Sequence, residues 1–216
     1  MRFGVLGTGE VGRTIAGRLV DSGYEVVLGS RTPDNPAAAA WAAAAGDRAG
    51  HGTFAAAAEA GEVLFNCTPG TVSLDVLATI PGAALAGKIL VDVANPLDHS
   101  GGFPPTLAVC NTTSLGEQIQ AAHPDLRVVK ALNTMHNSIM VDPARLGGDH
   151  HVFVCGDDAD AKARVVSLLG EWGWPAEAVI DLGGIDNARG TEMVLPLWVR
   201  LYATLGAPDF NLAVVR

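Results

Sequence analysis

The sequence has 216 residues, 49% of them hydrophobic, with a formal net charge of −9; this suffices for a domain with a sizeable core plus an extension, or two small domains. The acidic balance, with no basic run to track a phosphate backbone, argues against nucleic acid as a partner. The three cysteines, Cys67, Cys110 and Cys155, are widely spaced and form no CxxC, which predicts reduced thiols rather than a disulfide framework. A first strand starting at residue 2 and the lack of an apolar run of membrane-spanning length lead us to expect a cytoplasmic protein without a membrane partner.

Arg2-Phe3-Gly4-Val5-Leu6 is a short apolar run of the kind a buried strand shows, and Gly7-Thr8-Gly9-Glu10-Val11-Gly12 follows it directly. An amphipathic run from Arg13 to Val20 comes next, so the glycine pattern sits between strand and helix, the context a dinucleotide-binding turn requires. There Gly7 makes the tight turn, Gly9 admits a pyrophosphate to backbone N–H groups, and Gly12 lets helix pack on strand. The helix start adds unpaired donors and a positive dipole end. Gly7, Thr8, Gly9, Glu10, Val11 and Gly12 are therefore the first candidate cofactor residues. The second strand, Glu25 to Gly29, ends in Ser30-Arg31-Thr32 where proteins selective for NAD carry an acidic residue, about 20 residues on from the glycines. A hydroxyl and a guanidinium suit a 2′-phosphate, which a carboxylate repels. Ser30 and Arg31 thus favour NADP.

An alanine-rich helix with Trp41 inside it is expected over residues 36–46, a short third strand at Gly52-Thr53-Phe54 and a short helix over 55–60. Glu62 to Asn66 is a continuous apolar strand ending in Cys67-Thr68-Pro69-Gly70. Ligands of open parallel sheets bind beyond such carboxyl ends, which makes Cys67, Thr68 and Pro69 cofactor candidates. A helix over 72–80 and a fifth strand over 88–93 lead to a long loop, residues 94–109, placed to wall or cover the site, with Asn95 at its start. Ser114-Leu115-Gly116-Glu117 has capping-box spacing and starts a helix to about Ala122. The sixth strand, 126–130, ends in Lys130, expected to snorkel. It runs into Ala131-Leu132-Asn133-Thr134-Met135-His136-Asn137, rich in groups able to orient a ring, and His136 is the histidine to consider for proton chemistry. A seventh strand at 151–155 precedes Asp157 and Asp158, both expected to cap a helix over 159–171. A last strand, 179–182, leads to one C-terminal helix over 188–205 with an apolar face that must pack on the sheet or on a second subunit.

Gly7-Thr8-Gly9-Glu10-Val11-Gly12, Gly29-Ser30-Arg31, Asn66-Cys67-Thr68-Pro69, the stretch Val129 to Thr134, Cys155-Gly156-Asp157-Asp158 and the segment Asp181 to Arg189 together resemble the NADP-dependent deazaflavin (coenzyme F-420) oxidoreductases. They are similar also to the cytosolic domain of the STEAP metalloreductases. The resemblance implies a homodimeric α/β protein, a Rossmann-type, doubly wound, mainly parallel sheet with a short helical C-terminal extension. On this view residues 1–180 bind NADP(H), while residues 181–216 complete the acceptor site and contribute to the dimer contact. The activity implied is hydride transfer between NADP(H) and a small-molecule acceptor, a deazaflavin or a flavin such as FMN or FAD. Thr8, Gly9, Glu10 and Val11 match the family's phosphate turn and Ser30 and Arg31 its 2′-phosphate pair. At one position the chain departs from the archaeal members: it has Asn133-Thr134 where they have His-Thr.

Hydride transfer between two rings asks a protein mainly to stack and to exclude water. Asn133, Thr134 and His136 are the catalytic candidates, Asn133, Met135 and Asn137 the acceptor-binding ones, and no metal site is expected. Two other readings share the N-terminal fold: a β-hydroxyacid dehydrogenase or imine reductase, and a non-catalytic NADP(H)-binding sensor module. The first is disfavoured because Gly183 to Trp198 contains no lysine.

Overall fold

The computed structural model describes residues 1–216, and strand alternates with helix from the start. β1 (Arg2–Leu6), α1 (Glu10–Asp21), β2 (Glu25–Ser30), α2 (Pro36–Ala45), β3 (Ala49–Thr53), α3 (Phe54–Ala60) and β4 (Val63–Asn66) form the first half. A 3₁₀ turn over Gly70–Val72 leads into α4 (Ser73–Ala78), the single turn α5 (Gly82–Leu85) and β5 (Ile89–Asp92). Then come a small hairpin of β6 (Leu97–Asp98) and β7 (Thr106–Leu107), α6 (Leu115–Ala122), β8 (Arg127–Ala131) and α7 (Asn137–Val141). The chain continues with β9 (Val152–Cys155), α8 (Ala159–Glu171), β10 (Val179–Asp181), α9 (Ala188–Met193) and α10 (Leu195–Leu205).

The main sheet has the order β10-β9-β8-β5-β4-β1-β2-β3. Every neighbouring pair is parallel except β8 and β9, which run antiparallel with Lys130 opposite Cys155. The chain winds outward from β1 in both directions, so the switch point lies between β1 and β4, where open α/β sheets bind ligands. Side chains alternate between two cores. Phe3, Val5, Phe65 and Val91 face α1, α2, α7 and α8, while Leu6, Leu64, Leu90 and Val128 face α3 to α6. Burial on both faces explains why the central strands read as unbroken apolar runs rather than alternating ones.

Several expectations are corrected. The third strand is five residues long and ends at Thr53, whose side chain caps α3 by accepting from the Ala56 N–H. The helix expected over 72–80 is a 3₁₀ turn followed by six α-helical residues. The C-terminal helix is two pieces, because Pro196, near the start of α10, has no N–H to continue the ladder back to Glu192. Asp158 caps α8 as expected, accepting from the Ala161 N–H at 2.7 Å, but Asp157 does not: its Oδ1 accepts from the Ile185 N–H at 2.9 Å and pins the C-terminal segment instead. Ser114 caps α6 by accepting from the Glu117 N–H at 3.1 Å, while Glu117 takes the Ser114 hydroxyl and pairs with Arg189 of α9.

Lys130 does not snorkel. Its ammonium is fully buried, 2.8 Å from Asp92 Oδ2 and 2.8 Å from Glu192 Oε1, and also donates to the Ala94 carbonyl. The Glu192 carboxylate accepts in addition from the Leu115 and Gly116 N–H groups, at 2.8 and 3.1 Å, at the start of α6. These bonds fix α9 to the middle of the sheet and make it part of the core, while much of α10 stays exposed. The boundary expected at 180/181 falls inside β10.

Candidate active site

Gly7 leaves β1 at φ +118°, a conformation a side chain disfavours, and a Cβ there would stand 2.6 Å from the Cys67 carbonyl oxygen. Gly12 meets the opposite limit: a Cβ would come within 2.0 Å of the Gly7 carbonyl oxygen, so only glycine lets α1 pack this close to the turn. Gly9 caps α1, and a Cβ there would enter open space. No side chain caps this helix start, so its first N–H groups and positive dipole end are left for a ligand.

At the end of β2 the two predicted residues differ in kind. Ser30 is buried, and its hydroxyl is engaged with the Thr32 backbone, donating to the carbonyl and accepting from the N–H at 3.2 Å. Arg31 is exposed and makes no ion pair or hydrogen bond within the protein.

The opposite wall comes from the ends of β4, β5 and β8. Thr68 is locked by its hydroxyl, 2.7 Å from Asn66 Oδ1 and 2.8 Å from Ser73 Oγ, and Asn66 in turn donates to Asp92 Oδ1 at 2.8 Å. A buried polar chain thus runs from Thr68 through Asn66 and Asp92 to Lys130 and Glu192. Leu132 turns the chain after β8 at φ +65°, a conformation costly for a non-glycine residue. Beyond it Asn133 and Asn95 clasp each other: Asn95 Nδ2 donates to the Asn133 carbonyl at 2.8 Å, and Asn133 Nδ2 donates to Asn95 Oδ1 at 2.9 Å.

These walls enclose a cavity of about 1090 Å³, above the usual range for one drug-sized ligand. Gly7, Thr8, Gly9, Glu10, Val11, Ser30 and Arg31 line one end; Cys67, Thr68, Pro69, Asn95, Asn133, Met135, His136 and Asn137 line the rest. Gly12 lies behind the turn, and Thr134, 1% exposed, is buried away from the lining. His136 Nδ1 accepts from the Ser138 N–H and lies 2.9 Å from its hydroxyl, so the ring caps α7. Leu195 and Trp198 of α10 also line the cavity, as do Asn35 and Phe54. Sequence reasoning missed these four. For Trp198 the available signal was its place on an apolar helical stripe, which does not tell core from cavity.

Cys67 is half-buried on the cavity wall, and desolvation there, reinforced by the nearby Asp92 charge, raises its thiol pKa far above the ordinary range and keeps it protonated. Burial likewise pushes Cys155 up to about 12, whereas Cys110 is exposed. Alkylation of the folded protein with iodoacetamide at pH 8 is therefore expected to modify exposed Cys110 first, Cys67 much more slowly because its thiol stays protonated, and buried Cys155 only after denaturation; peptide mass mapping reads the order, and modification of Cys67 as fast as Cys110 contradicts the raised pKa.

A doubly wound sheet, a glycine turn at its switch point and a free arginine after β2 define a dinucleotide-binding protein of the Rossmann class. Residues 2–96 match the family described as NADP oxidoreductase, coenzyme F420-dependent. The F420-dependent NADP reductase of Methanothermobacter marburgensis is 31% identical over 214 residues, covering 93% of this chain and 92% of that protein. The crystal structure of a proposed F420-dependent NADP-reductase of Arthrobacter sp. FB24 superposes with a TM-score of 0.95 at 50% identity over the whole of both chains. Metalloreductase STEAP3 of Rattus norvegicus is 31% identical over 204 residues, and the chain spans 38% of its length. A reductive aminase of Aspergillus terreus, TM-score 0.64 at 18% identity over 95% of this chain and 62% of its own, shares the fold. The chain belongs to the family of coenzyme F420-dependent NADP oxidoreductases and is an NADP-dependent oxidoreductase. No helix is long and apolar enough to cross a membrane.

Proposed function

We propose that the protein transfers hydride between NADP(H) and a deazaflavin of the coenzyme F-420 type, with flavins (FMN or FAD) as the second acceptor class. The observation that carries this reading is the single cavity running from the glycine turn to the Asn95–Asn133 clasp and α10, roomy enough for a dinucleotide and a second ring.

The residues present fit NADP(H). Space is open beside Gly9 at an uncapped helix start, and an unpaired guanidinium stands after β2. Thr8, Gly9, Glu10 and Val11 hold the pyrophosphate, with Gly7 and Gly12 shaping the turn, and Arg31 beside Ser30 holds the 2′-phosphate. Cys67, Thr68, Pro69 and Asn95 form the wall against which the nicotinamide end rests. When bound, NADPH supplies the hydride. Asn133, Met135 and Asn137 face the acceptor; His136 holds the start of α7, and Thr134 is buried beneath the lining rather than in contact with the acceptor. Hydride passes directly from ring to ring, and the proton that the reduced acceptor takes up on its ring nitrogen comes from solvent, so no side-chain acid is required. In the same reading residues 181–216 complete the acceptor site, exposed Leu197 and Leu205 of α10 contribute to a homodimer, and the protein works in the cytoplasm.

Anaerobic NADPH oxidation by the purified protein, with the deazaflavin coenzyme, with FMN or FAD, and with no acceptor, tests the proposal. Turnover is expected with the deazaflavin and more slowly with flavins. Silence with all of them, alongside normal NADPH binding, overturns it.

A further inference from the structure

Six buried side-chain polar atoms have no hydrogen-bond partner in the protein, and two of them belong to residues lining the cavity: Asn133 Oδ1 and Trp198 Nε1. Natural folds leave few such atoms, because each is a polar group taken out of water with no hydrogen bond in exchange. One is an acceptor and the other a donor. They come from distant parts of the chain, the loop after β8 and the second C-terminal helix.

The orientation of Asn133 follows from its surroundings. Asn95 donates its amide to the Asn133 backbone carbonyl, which leaves Asn95 Oδ1 to face Asn133. Asn133 must answer with its NH₂, so its Oδ1 points away from the clasp with nothing to accept from. Asn133 is 2% exposed, so water does not readily compensate it. Trp198 is equally constrained. Its indole stacks on Tyr202, with centroids 5.7 Å apart and planes at 5°, and on Phe210 at 5.2 Å and 29°. The indole N–H can only donate, and two aromatic neighbours hold the ring that carries it.

We infer that Asn133 Oδ1 and Trp198 Nε1 read the imide edge of the hydride acceptor, the first taking its ring N–H and the second giving a hydrogen bond to the adjacent carbonyl. This inference rests on the proposed function and adds to it a chemical criterion. A substrate of this site carries an N–H next to a C=O on a flat ring, as the pyrimidinedione of a flavin or deazaflavin does. An oxo acid lacks the N–H and a cyclic imine lacks the carbonyl, so either would leave one of the two atoms unmet. The carboxamide of the nicotinamide offers the same pair of groups, and the experiment separates the two sources.

The probes are 5-deazariboflavin and its N3-methyl derivative, titrated by fluorescence into the NADP⁺-loaded protein. Methylation at N3 removes the donor while leaving the ring's redox chemistry in place. It is expected to weaken binding about tenfold, and Trp198→Phe to weaken the unmethylated probe by a similar factor with NADP⁺ affinity unchanged. In Asn133→Leu, checked for folding by its NADP⁺ binding, the methyl penalty should largely vanish, since the partner of the N–H is gone. A penalty that persists at full size there is steric and overturns the inference. So does equal binding of both probes to the wild type, which leaves the deazaflavin reading intact. Weakened NADP⁺ binding by Trp198→Phe with probe affinity unaltered moves the pair to the carboxamide and also overturns it. Failure of both probes to bind, with NADP⁺ bound normally, removes the deazaflavin reading and this inference together.

Discussion

Replacing Lys130 by methionine is expected to cost about 3–5 kcal/mol of folding stability, the range for removing one partner of a buried ion pair. That is a large share of the total for a protein of this size. The ammonium stands between two carboxylates that are themselves out of contact with water, Asp92 and Glu192, each 2.8 Å away. Without it the two negative charges face each other across a cavity that methionine fills with apolar volume. The remaining donors to them, Asn66 Nδ2 on Asp92 and the Leu115 and Gly116 N–H groups on Glu192, do not neutralise either. Urea unfolding at pH 7 measures the loss as a lower midpoint at unchanged slope; a loss below about 1 kcal/mol contradicts the assignment of this triad. The pH dependence follows from the same geometry. Burial works against the charged lysine, but the charges of Asp92 and Glu192 and their hydrogen bonds outweigh it, and its pKa is raised above the ordinary lysine value of 10.5. The stabilising contribution is therefore complete below that value and lost only as pH rises through the raised one. The gap between wild type and variant should hold across neutral pH and narrow in strong alkali.

Arg31→Ala is expected to weaken NADPH roughly ten- to a hundredfold, the worth of one or two charge-assisted hydrogen bonds, and to leave NADH nearly unaffected. The asymmetry between Ser30 and Arg31 sharpens this expectation. The single hydroxyl proton of Ser30 goes to the Thr32 carbonyl, so the serine shapes the loop while the arginine alone has donors to give. Arg31 has no competing carboxylate to release before it binds. Fluorescence titration of both nucleotides checks the result, and equal losses for the two would refute the role.

The sheet was legible because its central strands are buried on both faces and leave unbroken apolar runs, with glycine and proline between them. The nucleotide end of the site was legible for a related reason: Gly7, Gly9 and Gly12 act through spacing along one short stretch, which sequence records directly. Asn95 and Asn133 could be singled out one by one as residues at strand ends, but their clasp joins positions 38 apart, and nothing in local pattern pairs them. Lys130 failed for the same cause. A lysine ending an apolar strand looks like one that reaches for water, and its two partners come from a neighbouring strand and from α9. The hairpin of β6 and β7 lies within the loop expected over 94–109, and the short α7 in a stretch to which the sequence assigns no element, since two paired residues or one and a half turns leave no period to detect. Asp157 looks like a cap in sequence because capping is local, while its partner, the Ile185 N–H, lies 28 residues away.

The bonds of Glu192 also bear on the order in which the molecule can be completed. A chain growing from its amino end has made Asp92 and Lys130, and can pair them, well before residue 192 exists. Until then the first N–H groups of α6 have no acceptor, and the core face that Ile185 and Ala188 help to cover stays partly open. The nascent sheet thus waits with a charged triad two-thirds assembled and an apolar side exposed, a state open to association with other unfinished chains. Docking of Ile185, Ala188 and Glu192 closes both gaps together, so the segment that carries the cavity-lining Leu195 and Trp198 is also the one whose synthesis completes the core.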